Sequence, residues 1–132
     1  MNRKPLFIAL AITAAGAQAE WTNTEFFALS DTTPVVGVSY YPSNNCRWAM
    51  LSIGDESVTS IAILVDGKAH GTYRVEPIVN TAEGIEIGPD VISAMKRGKA
   101  MVLVTDHGAL DVSLKGATRA INANHAKCKS GW

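Results

Sequence analysis

Apolar residues recur along this chain at two spacings, and the switch between them separates strands from helices. Residues 35–41, VVGVSYY, form a β-branched and aromatic run between the turn residues Asp31-Thr32-Thr33-Pro34 and Pro42-Ser43-Asn44-Asn45, which predicts a strand. Tyr40 and Tyr41 point to opposite sides of it, so at least one is expected at the surface. In CRWAMLSI, Cys46, Trp48, Met50 and Ser52 share one face at period two, a second strand that would carry the first cysteine. Further on, SVTSIAILV runs into Asp66-Gly67, the strongest hairpin signal of the chain. The expected hairpin pairs residues 60–65 with 71–75 and leaves Lys68, Ala69 and His70 at an exposed tip. Pro77 ends the returning strand, and Ile78-Val79 and the alternating Gly84-Ile85-Glu86-Ile87 predict short edge pieces.

The period then lengthens. Gly88-Pro89-Asp90 followed by VISAMKR predicts a helix near 89–97, because proline is tolerated in a first turn, Asp90 suits the positive end of the dipole, and Lys96 and Arg97 suit the negative end. Gly98 is placed to follow it. AMVLVT and ALDVSL predict two strands about the turn Asp106-His107-Gly108. From Gly116 a second helix is expected near 116–128, with Ala117, Ala120, Ile121, Asn124 and Cys128 on one stripe facing the sheet. With no internal repeat, low-complexity tract or linker, this predicts one α+β domain, mainly antiparallel β, as a sandwich or curved sheet with two helices.

Residues 1–19, MNRKPLFIALAITAAGAQA, change the picture of where this domain works. Arg3 and Lys4 precede a short apolar run, and Ala17-Gln18-Ala19 has the A-x-A form of a cleavage site, the pattern of a secretory signal peptide. Residues 20–132 are then the single mature domain, periplasmic or secreted. No other apolar run approaches the roughly 18 residues of a membrane span, so no transmembrane segment is expected in the mature chain. In an oxidising compartment the two cysteines, Cys46 and Cys128, are expected to pair. That bridge would close a loop of about 80 residues and contribute about 4 kcal/mol by the chain-entropy model.

Charge is unevenly distributed. Residues 20–90 carry three basic and ten acidic side chains, whereas residues 91–132 carry seven basic and two acidic ones. The mature total is weakly acidic, which argues against a general nucleic-acid binder. If the charges segregate in space, Lys96, Arg97, Lys99, Lys115, Arg119, Lys127 and Lys129 make a basic docking face for an acidic partner. Asp66, Lys68 and His70 at the hairpin tip are a second candidate contact.

Chemistry-bearing motifs are sparse. The three histidines, His70, His107 and His125, lack metal-ligand spacing, the acidic residues lack a calcium-loop pattern, and the Gly-Lys pairs lack a phosphate-binding loop, so no metal or cofactor is implied. Gly54-Asp55-Glu56-Ser57 is not a nucleophile elbow, and Asp106-His107 reads as a solvent-facing turn. No catalytic set is assigned. A small periplasmic hydrolase would need Asp106 and His107 to meet a free thiol in a pocket, and a small-ligand carrier would need an apolar cavity.

The stretch ISAMKRGKAMVLVTDHGALDVSLKGATRAI, with a late Cys128, resembles the closing segment of small exported bacterial proteins of the invasion-associated locus B type. Similar patterns occur in periplasmic accessory proteins of the type VI secretion VasI type. The resemblance covers about 40 residues in the C-terminal third. It implies a β-rich envelope domain without a catalytic centre, in which Ser113-Leu114-Lys115-Gly116 is a strand-to-helix junction and Cys128 its staple. The expected function is a non-enzymatic exported binding or accessory protein that contacts another envelope or secreted protein in adhesion or invasion, secretion, or inhibition.

Overall fold

Period-two alternation becomes two antiparallel sheets around one core. The structure, a computed structural model, describes residues 20–54, 57–79 and 82–131. The signal-peptide reading of residues 1–19 and the middle of the Gly-Asp-Glu-Ser turn, Asp55 and Glu56, lie outside the described residues. In chain order the elements are β1 (Thr22–Asn23), β2 (Ala28–Leu29), β3 (Val36–Tyr40), a 3-10 turn at Pro42–Asn44, β4 (Ala49–Ile53), β5 (Ser60–Val65), β6 (Lys68–Arg74), β7 (Glu76–Val79), β8 (Ala82–Ile87), α1 (Pro89–Arg97), β9 (Ala100–Thr105), β10 (Gly108–Ser113) and α2 (Ala117–Lys129). One sheet runs β1-β2-β3-β4-β8-β7 and the other β10-β9-β5-β6. The fold is α+β.

Ile61, Ile63 and Val65 of β5 with Met101 and Leu103 of β9 bury one face of the smaller sheet. They share a core with Val36 and Val38 of β3, Ala49 and Leu51 of β4, and Ile85 and Ile87 of β8. The helix stripe Ala117, Ala120, Ile121, Asn124 and Cys128 is buried as its spacing requires, with α2 packed against β1, β2 and β3. Trp21 is buried too, its indole N–H donating to the Ser113 carbonyl at 2.7 Å. Helix α1 has the expected limits, and Gly98 follows it, but with φ −84° rather than a left-handed cap. Glycine is required there for space: a Cβ would collide with Val65 Cγ1 and lie 3.0 Å from the Ala94 carbonyl oxygen.

Five expectations are corrected. Asp66 and Gly67 have φ +50° and +81°, so the hairpin closes on a two-residue turn and Lys68, Ala69 and His70 belong to strand β6 rather than to a tip loop. Cys46 is not on a strand: Asn45 and Cys46 take φ of 62° and 59°, and β4 begins three residues later, with Ala49, Leu51 and Ile53 facing the core. Pro77 lies within β7, and β8 is no edge, since it pairs with β4 on one side and β7 on the other. Tyr40 and Tyr41 are both buried, because the Tyr41 hydroxyl, on the outer side of the sheet, hydrogen-bonds the Glu86 carboxylate from β8. The two-residue strands β1 and β2 form a short hairpin that periodicity does not reveal.

Candidate functional site

A groove opens where the two helices meet the turn before β4. On α1, Pro89, Ile92, Ser93 and Lys96 recur at i, i+3, i+4 and i+7 and so share one face. On α2, His125 and Lys129 face them, and Tyr40, Asn45, Cys46 and Arg47 complete a cavity of about 340 Å³. The Thr118 hydroxyl donates to the Lys96 carbonyl at 2.7 Å, which fastens the end of α1 to the start of α2.

The floor is held by buried polar contacts. Asn124 accepts from the Tyr40 backbone N–H at 2.8 Å and donates to the Phe26 carbonyl at 2.8 Å, locking α2 to β3. The His125 ring lies 4.4 Å from the Tyr40 ring, and its Nε2 is 3.0 Å from the Cys46 carbonyl oxygen, as a donor in that tautomer. The Cys46–Cys128 disulfide forms as expected, with its Cα atoms 6.0 Å apart, and ties the turn to α2. Burial raises the Tyr40 phenol above its ordinary range.

Electrostatically the groove is one-sided. Arg47, Lys96 and Lys129 line it together with His125, and no carboxylate does. Among the described residues none of these three cations has an acidic partner at ion-pair distance. The other expected basic residues are placed differently. Lys115 and Arg119 pair with Glu20 at 3.8 and 3.2 Å. Lys127 donates to the Thr24 and Glu25 carbonyls, and Arg97 reaches the Ser93 hydroxyl. Lys99 is exposed, its backbone N–H held by Asp66. The Asp66 carboxylate also takes the Ala100 N–H at 3.0 Å, so it serves the turn, and Lys68 and His70 lie along β6 away from the groove lining. Of the expected basic residues, Lys96 and Lys129 line the groove, together with Arg47 from the acidic half of the chain.

The set required for thiol hydrolysis is not assembled. Both cysteines are in the bridge. Asp106 is held below the ordinary carboxylate range, first by the backbone N–H of Thr59, which it accepts at 2.9 Å, and less by His107. His107 Nε2 is 2.8 Å from the Ser57 carbonyl oxygen. A second cleft of about 700 Å³ nearby contains both Arg74 and Glu83, so opposite charges offset one another in it. Among the described residues no three histidine, cysteine, aspartate or glutamate side chains group as a metal site would require.

Arg47 and His125 were not singled out as binding residues by sequence reasoning, yet a signal for Arg47 existed. The Cys46–Cys128 bridge brings together the segments that carry Arg47 and Lys129, and both residues line the groove. The Lys96 side of the groove depends on how α1 docks on α2, which periodicity does not encode. In comparisons with protein-family models, curated proteins and solved structures, the chain matches none of them.

Proposed function

We propose that this chain is a non-enzymatic binding or accessory protein of the bacterial envelope, periplasmic or secreted, that recognises an acidic protein partner through the groove between α1 and α2. The observation that carries this reading is the convergence of Arg47, Lys96 and Lys129 on one cavity lined by no carboxylate. Uncompensated like charge opposes folding, and an acidic partner would relieve it while steering association. The leader-like residues 1–19, the disulfide and the locus B resemblance support an extracytoplasmic site of action. They also support roles in adhesion or invasion, in secretion, or in inhibition of an envelope enzyme.

The test is affinity capture from envelope extract with the oxidised mature domain, beside R47E/K96E/K129E and a control, K115E/R119E, whose cations are paired with Glu20. An acidic protein retained by the wild type and the control but lost by the groove variant is the expected result. Equal retention by all three would refute the assignment.

A further inference from the structure

The chain passes from one sheet to the other at a single residue. Strand β6 ends at Arg74 in the smaller sheet and β7 begins at Glu76 in the larger one. Val75 joins them, its backbone N–H donating to the Thr59 carbonyl at 2.9 Å. Two cavities meet at that corner. The outer one, of about 700 Å³, is lined by the hydroxyl-bearing Ser57, Thr59, Ser60 and Thr72 together with Arg74 and Glu83. The inner one, of about 290 Å³, is lined by Ile53, Val58, Ile61 and Val75 with Glu83 and Gly84. Val58, Val75 and Glu83 line both, so the two are chambers of one cleft.

The inner chamber is an apolar recess at the margin of the core: Ile53 and Ile61 are buried, and Val58 and Val75 pack against them and their neighbours. The outer wall is fixed before any ligand arrives. The Thr59 N–H donates to the Asp106 carboxylate at 2.9 Å, and His107 Nε2 lies 2.8 Å from the Ser57 carbonyl oxygen, so the β4–β5 connection is tied twice to the β9–β10 turn. The Tyr73 hydroxyl donates to the His70 carbonyl at 2.8 Å, which holds its ring in the lining. Walls ordered in advance lower the entropy lost on binding.

Arg74 and Glu83 bring opposite charges to this one cleft, and among the described residues neither has an ion-pair partner. A ligand of one sign would be attracted by one and repelled by the other, whereas a ligand carrying both signs is attracted by both. The recess beside them adds a place for apolar surface to leave water.

We infer that this cleft binds a small zwitterion with an apolar side chain, the chemistry of a free amino acid or a short peptide. The carboxylate is held by Arg74, the ammonium by Glu83, and the side chain enters the inner chamber, with the surrounding hydroxyls available to the remaining polar atoms. The cleft shares no lining residue with the groove between α1 and α2, so the two sites stand or fall separately.

The experiment is an NMR titration of the ¹⁵N-labelled, oxidised mature domain with leucine, leucinamide, N-acetylleucine and glycine. Leucine should shift the amides of Val58, Thr59, Val75 and Gly84 and bind about fivefold more tightly than each of the other three, the factor expected for one exposed charge contact. R74Q should lose the preference over leucinamide while keeping that over N-acetylleucine, and E83Q should do the reverse, a pairing of variant with ligand that a merely structural role would not produce. Both variants should keep the wild-type melting temperature. Tighter binding of leucyl-leucine than of leucine would assign the cleft to peptides, and the opposite order to free amino acids. No shift with either zwitterion at about 10 mM, tenfold above a millimolar Kd, would overturn the inference. So would equal binding of the blocked forms, preferences that survive both variants, or shifts that map to the α1–α2 groove instead.

Discussion

Replacing both cysteines by alanine, Cys46→Ala with Cys128→Ala, tests what the bridge contributes. The cysteines are 82 residues apart in sequence. For a loop of that length, chain-entropy bookkeeping gives about 4.5 kcal/mol of constraint on the unfolded chain at 25 °C. Both positions are buried, so deleting the sulfurs adds a small packing loss, on the order of 1 kcal/mol. A total near 5 kcal/mol is comparable to the whole stability of many small domains. At about 2.1 cal/mol/K of unfolding entropy per residue, it corresponds to a drop of roughly 20 °C in Tm for a domain of this size. Urea and thermal unfolding of the oxidised protein and the double variant measure it. The urea m-value should rise in the variant, because the unlinked chain exposes more surface. At low temperature the variant should stay folded with α2 protected from amide exchange, since the buried stripe and Asn124 hold the helix without sulfur. A loss below about 2 kcal/mol with an unchanged m-value would refute the reasoning, because the unfolded chain would then already hold that loop closed.

Three other outcomes follow from the packing and the titrations. Asn124→Ala removes the partner of the Tyr40 N–H and one donor to the Phe26 carbonyl, and is expected to cost about 2–4 kcal/mol in urea unfolding. Gly84→Ala would set its Cβ 2.6 Å from the Leu51 carbonyl oxygen across the β4–β8 pair, an overpacking expected to cost about 1–3 kcal/mol in the same assay. Burial raises the Tyr40 and Tyr41 phenols, Tyr41 to about 12 with its Glu86 contact adding to the effect, while unfolded tyrosine titrates near 10. The fold holds these protons more tightly, so stability is full below pH ~10 and declines as pH rises toward ~12. Denaturant melts across that window should show the decline, and Tyr41→Phe should flatten it.

What was legible in the sequence was what neighbouring residues decide together. The α2 stripe from Ala117 to Cys128 and the limits of α1 followed from helical spacing, proline and dipole-matched charges, and both appear as expected. The Asp66-Gly67 signal was legible too, although a two-residue turn, not a five-residue tip, is what its left-handed geometry closes. Tertiary pairing was not legible. The apolar-acidic alternation of β8 suits an edge, but Glu86 finds the Tyr41 hydroxyl on the outer face while Ile85 and Ile87 fill the core, so the strand lies inside the sheet. Cys46 fell outside its expected strand because Asn45 and Cys46 both turn left-handed, a local choice that period-two counting does not register. The groove was half visible: Lys96 and Lys129 were among the expected basic residues, whereas Arg47 and His125 reach it through the tertiary packing of the Cys46 turn and α2.

The placement of the basic side chains separates structural roles from the groove. Lys115 and Arg119 share the carboxylate of Glu20, Lys127 donates to two carbonyls, and Arg97 reaches a hydroxyl, so each has a polar partner where it stands. Arg47, Lys96 and Lys129 line one cavity without a carboxylate, an arrangement whose self-repulsion works against the fold. It occurs beside the disulfide and the buried Asn124 contacts. A covalent tie can fix like charges side by side where packing alone would let them separate. The bridge and the groove thus share one connection between the turn at Cys46 and the last turn of α2.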